Sequence, residues 1–191
     1  GLFDEMFPAT SQELEQDQSF AKFVQAALQN TDKRVSEGKS VTPMFLLGVF
    51  LWAPTCRIAA MRREEEKMSE SQSLNIAAYD IASEQQRRIS IPKRFTVPMR
   101  EMMALQPRFL VTQGRRAMNL LEHRRFRAAY DFMMLLCEVG AVENQIGEFW
   151  TEVQTLPEAE RAKRFGVNAK PSAKKGRKRR RRKKAASDAG E

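Results

Sequence analysis

Residues 126–137 read Phe-Arg-Ala-Ala-Tyr-Asp-Phe-Met-Met-Leu-Leu-Cys. Phe126, Ala129, Tyr130, Met133, Met134 and Cys137 recur at steps of three and four, the spacing of one face of an α-helix. The same period runs outward in both directions. Ala117, Leu120 and Leu121 predict a short helix after the boundary at Gly114. Phe95, Met99, Met102 and Met103 predict one that Pro107 kinks or ends. Leu74, Ala77, Ala78 and Ile81 form a stripe that Ser90-Ile91-Pro92 breaks, and the charged run Arg57–Lys67 before it is still helical in type. Thr42-Pro43 is a helix-start signal, with Pro at the first position. The stretch Met44–Trp52 that it opens is apolar nearly all round and reads as a central core helix, which Pro54 is expected to end. Phe20, Phe23, Val24, Ala27 and Leu28 make the earliest stripe, capped by Ser19 or an earlier polar residue and closed by Gly38. Downstream, Ile146, Phe149, Trp150 and Val153 make the last, before Pro157. No stretch alternates with period two. The expected fold class is therefore all-α, a bundle of six to eight helices.

From about Lys170 the residues are Lys, Arg, Ala, Gly, Ser and Pro, which bury no apolar surface, so a disordered basic C-terminal tail is expected. The expected organisation is a helical body segment (1–86), a basic helical segment of the same globule (87–169) and the tail (170–191). Because Gly1-Leu2-Phe3 reads as chain interior, the sequence is expected to be the C-terminal piece of a longer protein. No signal peptide is read at the acidic N-terminus. The stretch Pro43–Pro54 is too short for a membrane span of ~20 residues.

The chain has a net charge of +9, and its distribution matters more than its size. Residues 170–184 hold eleven Lys/Arg and no acid. The rest of the body, residues 1–169, balances 22 bases against 22 acids. Within it, Arg87–Arg127 holds eleven bases and two acids, Glu101 and Glu122. Charge segregated in this way fits a polyanionic partner better than it fits solubility alone.

Catalytic patterns are missing from the sequence. The single histidine, His123, sits among Glu122, Arg124 and Arg125 in what reads as an exposed basic context. Cys56 and Cys137 are far apart in apolar helical patterns and read as buried, reduced and structural. One His and two distant Cys make no zinc site. There is no phosphate-cradling loop, and no Asp-x-Asp pair of the kind that holds divalent ions for nucleotidyl transfer. The acids of Glu13–Asp17 and Glu64–Glu66 read as solvated faces. The informative cluster is cationic: Arg115, Arg116, Arg124, Arg125 and Arg127, with Phe126 and Tyr130 interleaved. Arginines pair with phosphates and stack on bases. Phe126 reads as core. Tyr130 reads either as core or as an exposed ring on which a base stacks.

Several runs then fall into one pattern: Ile91-Pro92-Lys93-Arg94, Gln113-Gly114-Arg115-Arg116-Ala117, Leu120-Leu121-Glu122-His123 and Phe126-Arg127-Ala128-Ala129-Tyr130-Asp131. Together with Leu2-Phe3, Phe7-Pro8, Asn30-Thr31-Asp32, the segment Pro43 to Trp52-Ala53-Pro54 and the Arg/Lys-rich C-terminus, they resemble the C-terminal region of bacterial poly(A) polymerase. That family's enzymes add AMP from ATP to RNA 3′ ends and belong to the class II nucleotidyltransferases, which share a catalytic head with tRNA CCA-adding enzymes. The resemblance implies a helical, RNA-binding portion whose catalytic head, with its ATP and magnesium, lies outside this sequence. This chain is then expected to hold no cofactor or metal and to be inactive alone.

The resemblance places RNA binding in the region 91–130 and in the tail. The candidates are Lys93, Arg94, Arg115, Arg116, Arg124, Arg125, Arg127 and Tyr130 in the body. In the tail they are Arg177, Lys178, Arg179, Arg180, Arg181, Arg182, Lys183 and Lys184. The expected partner is a single-stranded RNA 3′ end with weak sequence preference. RNA-decay proteins are further expected partners, and the setting implied is a monomer in bacterial cytoplasm. Two other readings stand beside this one: a protein-interaction module using acidic and basic faces, and the body of a CCA-adding tRNA enzyme.

Overall fold

The computed structural model describes Gly1–Val167. The tail, with the expected disorder and the candidates Arg177–Lys184, lies outside the described residues. Among the described residues there is no strand. The helices are α1 (Leu2–Met6), α2 (Pro8–Gln16), α3 (Gln18–Ser36), α4 (Pro43–Glu66), α5 (Glu70–Gln86), α6 (Lys93–Ala104), α7 (Gln106–Phe109), α8 (Gly114–Met118), α9 (Phe126–Glu138), α10 (Asn144–Thr155) and α11 (Glu158–Arg164). A 3-10 turn, Asn119–Glu122, joins α8 towards α9. The all-α reading holds. Eight of these helices have seven residues or more, and the short ones are single turns.

Helix α4 is the axis, packing against α2, α3, α5, α6 and α9. Its Val49 and Leu51 are buried completely or nearly so. Where it crosses α6 it carries Gly48, and a methyl there would run into the side chain of Met102. The end of the Met102 side chain occupies the space that a larger residue at this position would take.

Pro54 does not end this helix; α4 continues through it to Glu66. A proline lacks the N–H that would bond to the carbonyl four residues back, here that of Phe50. Thr10 of α2 fills the gap: its buried hydroxyl donates to the Phe50 carbonyl at 2.9 Å. The charged run Arg57–Lys67 is therefore the second half of one helix. With its 24 residues, α4 is long and apolar enough by length and composition to cross a membrane. The sequence argument from shortness thus fails. The packing of Leu47, Val49, Leu51 and Ala59 makes α4 a core helix in this structure.

Two aromatic clusters tie the remaining elements together. Phe132 of α9 meets Phe23 of α3 at 5.2 Å, and Phe45 and Trp52 of α4 at 5.8 and 5.2 Å, each edge to face. The second cluster centres on Trp150 of α10. Its ring packs on Phe109, Phe126, Phe149 and Phe165, and its Nε1–H donates to the Phe109 carbonyl at 2.8 Å.

The sequence reading did not include α11. Its signals are Pro157 before the first turn, Glu158 and Glu160 in that turn, and Arg161, Lys163 and Arg164 in the last, the charge order that a helix dipole favours.

The Thr10–Pro54 arrangement is testable by a double-mutant cycle. Thr10→Val should cost about 1–2 kcal/mol in denaturant unfolding, because it strands a buried carbonyl. In a Pro54→Ala background the restored N–H satisfies Phe50, so the same Thr10→Val change should cost clearly less. Equal costs in both backgrounds would refute the account.

Candidate nucleic-acid interface

The sequence candidates do not form one continuous face. Arg124, Arg125 and Arg127 come together at the start of α9. They line a hollow of about 280 Å³ with Asn30, Thr31 and Arg34 of α3, and with Ser40 and Thr42 of the loop that follows α3. A second hollow of about 600 Å³ shares Asn30, Arg34, Arg127 and Asp131 with the first and adds Lys33. Together they make one groove between α3 and α9. Its walls carry the cations Lys33, Arg34, Arg124, Arg125 and Arg127 against the acids Asp131 and Glu138.

The other candidates lie elsewhere. Arg116 lines a separate hollow with Arg108, Pro107 and Val111. Arg115 is exposed on α8, and Lys93 and Arg94 are exposed at the start of α6. The Arg94 guanidinium lies over the Phe95 ring at 4.9 Å. The His123 imidazole feels the charges of Arg108, Arg124 and Arg125, with Glu101 opposing them.

Tyr130 is core. It is 8% exposed, its ring stacks on Phe126, and its hydroxyl shares a 2.7 Å hydrogen bond with Thr151. The Arg127 guanidinium sits over its ring at 5.6 Å. With its ring occupied in this way, Tyr130 offers no surface on which a base can stack. Phe126 is buried, as expected.

Few acids lie near these arginines along the chain, but the fold supplies some. Glu101 of α6 accepts a hydrogen bond from Arg125 Nε at 2.8 Å and another from Arg124. Arg127 pairs with Asp131 one turn on, at 3.0 Å. Partial burial pushes the Glu101 carboxyl up, but hydrogen bonds from Arg125 and Arg124 outweigh it, and the net direction is down. Arg115, Arg116, Lys93 and Arg94 make no ion pair among the described residues.

The local backbone explains why the arginines converge. The His123 carbonyl accepts from Phe126 N–H at 2.7 Å, and His123 Nδ1 accepts from Arg125 N–H at 3.1 Å. His123 therefore closes the turn that starts α9, and it is half-buried rather than exposed. The first turn of α9 contains no acid. Arg127 in that turn, with Arg124 and Arg125 just before it, opposes the positive end of the helix dipole, a placement that lowers stability unless an anion is near.

Sequence reasoning missed Lys33, Arg34 and the role of Glu101. Lys33 and Arg34 occupy the last turn of α3, where basic residues are expected for the dipole alone. No sequence-local signal links them to residues some ninety positions away.

A larger hollow of about 700 Å³ lies on another side, walled by Trp52, Cys56, Leu74, Leu110 and Ile146. Burial, with Glu70 and Glu13 adding to it, pushes the Cys56 thiol up to about 12, so it stays protonated and is no nucleophile.

These features define a class: a helical module that presents a cationic groove. The chain belongs to the family described as Polymerase A arginine-rich C-terminus, which its residues 66–184 match. It is 33% identical over 157 residues to poly(A) polymerase I of Escherichia coli O157:H7, covering 80% of this chain and 34% of that protein. Poly(A) polymerase I of Salmonella typhimurium is 31% identical with the same coverage. That of Haemophilus influenzae is 29% identical, over 81% of this chain and 35% of its own. The chain spans about a third of the length of the curated relatives it matches.

His123 gives the turn a pH dependence. Burial, then the charge of Arg108, lowers its pKa below the ordinary 6.5. As pH falls the unfolded chain takes up this proton first. Stability is therefore full above about pH 6.5 and is lost as pH drops through the lower folded value. Thermal unfolding should show a fall in Tm from about pH 7 to about pH 5 that is smaller in His123→Asn, whose side-chain oxygen still accepts from Arg125 N–H.

Proposed function

We propose that this chain is the RNA-holding portion of a poly(A) polymerase, gripping a single-stranded 3′ end while a catalytic domain elsewhere in the protein adds AMP from ATP. The observation that carries this reading is the groove between α3 and α9, with five cations on its walls against two acids. A single strand is a flexible line of phosphates, and a cationic groove tracks it without reading sequence. The similarity to poly(A) polymerases I makes RNA the polyanion that fits. Arg34, Arg124, Arg125 and Arg127 are the groove's phosphate contacts. Arg108, Arg115, Arg116, Lys93 and Arg94 extend the track, and Arg177–Lys184 add affinity from the tail. ATP and magnesium belong to the catalytic domain, and the setting is the bacterial cytoplasm.

Salt dependence tests the reading. For single strands log K falls with log salt at a slope of about −0.7 per phosphate neutralised. With five to ten cations engaged, the full chain should bind a single-stranded RNA with a slope of roughly −3 to −7. Replacing Arg34, Arg124 and Arg127 together by Ala should make that slope shallower by about 2. A slope near −1 for the unaltered chain, or no change in the triple variant, would sink the reading.

A further inference from the structure

We propose that Glu101 is a positioning residue for phosphate. It holds Arg124 and Arg125 as a fork whose outward N–H groups grip one backbone phosphate in the groove. This rests on the RNA-holding reading above and assigns a role within it to an acid.

The geometry is that of a carboxylate shared between two guanidinium groups. Arg125 donates through Nε to one Glu101 oxygen, and Arg124 donates through Nη2 to the other. A guanidinium has five N–H donors, so each arginine keeps about four after this bond. No other side chain among the described residues accepts from either guanidinium. Both line the 280 Å³ hollow, together with Arg34 and Arg127. A phosphate seated there would meet donors from two planar groups, the arrangement that makes arginine a strong anion ligand.

Glu101 is the fixed member of the trio. It stands on α6, whose Met99, Met102 and Met103 are fully buried, and its own side chain is 25% exposed. Arg124, in contrast, lies in the turn before α9 with a side chain 67% exposed. Two adjacent like charges repel, and a long exposed side chain loses entropy when a ligand fixes it. The carboxylate offsets both before RNA arrives, which is preorganisation.

The consequence runs against simple charge counting. Removing an acid from a surface that binds a polyanion should tighten binding. If Glu101 positions the fork, removing its charge should loosen binding instead. The nearby Glu122 serves as the control: it is exposed and makes no ion pair among the described residues.

The experiment measures binding of a labelled single-stranded RNA 12-mer by the full chain across a salt series. Glu101→Gln is expected to weaken binding roughly three- to tenfold and to make the salt slope shallower by about 0.7 to 1.4. Glu122→Gln is expected to leave binding unchanged or to tighten it. In an Arg124→Ala/Arg125→Ala background, Glu101→Gln should have no further effect, because the residue acts through those two arginines. That cycle also separates positioning from a general loss of fold, which would weaken binding in every background. Glu101→Gln binding as tightly as the unaltered chain, or weakening it equally in the double-Ala background, overturns the proposal while leaving RNA holding intact. Absence of RNA binding by the unaltered chain overturns both.

Discussion

The edge-to-face packing of Phe132 against Phe23, Phe45 and Trp52 is the constraint on which the site depends. It joins α9 to α3 and α4 through one buried ring. Helices α3 and α9 lie far apart in sequence, and this buried contact region brings them side by side. Aromatic pairs of this kind contribute ~0.5–1.5 kcal/mol each beyond area burial, so three around one ring outweigh any single surface ion pair nearby. The groove is thus the exposed rim of a core contact, and its width is set by apolar packing rather than by its charges.

The second anchor is the continuity of α4. A helix broken at Pro54 would let its second half, with the buried Ala59, pack independently of the first half, which carries Phe45 and Trp52 against Phe132. The Thr10 hydroxyl keeps the two halves collinear by accepting a role that the backbone cannot fill. Helix α2, near the N-terminus, is thereby part of what supports α4. Helix α4 in turn packs against α9, whose first turn carries Arg127.

This also shows what the sequence could and could not reveal. Apolar periodicity is a local property, so the stripes of α3, α5, α6, α9 and α10 were legible. The Arg-rich run 115–127 was legible as charge, and Asp17 proved to be the earlier polar residue that caps α3, donated to by Ser19 and Phe20 N–H. Pro54 misled because its rescue comes from a residue 44 positions away, which no local rule sees. Tyr130 was ambiguous because a tyrosine on an apolar stripe becomes core or surface according to whether its hydroxyl finds a partner, here Thr151. Lys33, Arg34 and Glu101 entered the site only through tertiary packing. The apparent lack of acids near the arginines was an artefact of reading along the chain.

Those acids do not disqualify the groove as an anion site. Arg127 and Asp131 form an exposed i,i+4 pair, the arginine side chain being 73% exposed, and pairs of this kind contribute ~0–1 kcal/mol. A phosphate offers Arg127 a charge-assisted bond of similar or greater strength, so exchanging partners costs little. Glu101 differs because it is half-buried and bonded twice, so exchange there would break two charge-assisted hydrogen bonds at once. The more economical arrangement keeps Glu101 bonded and adds the phosphate on the outer side of the fork. On the proposed reading the two acids have opposite parts: Asp131, on the groove wall, is a partner that an incoming phosphate displaces, and Glu101, which does not line the groove, is one that stays.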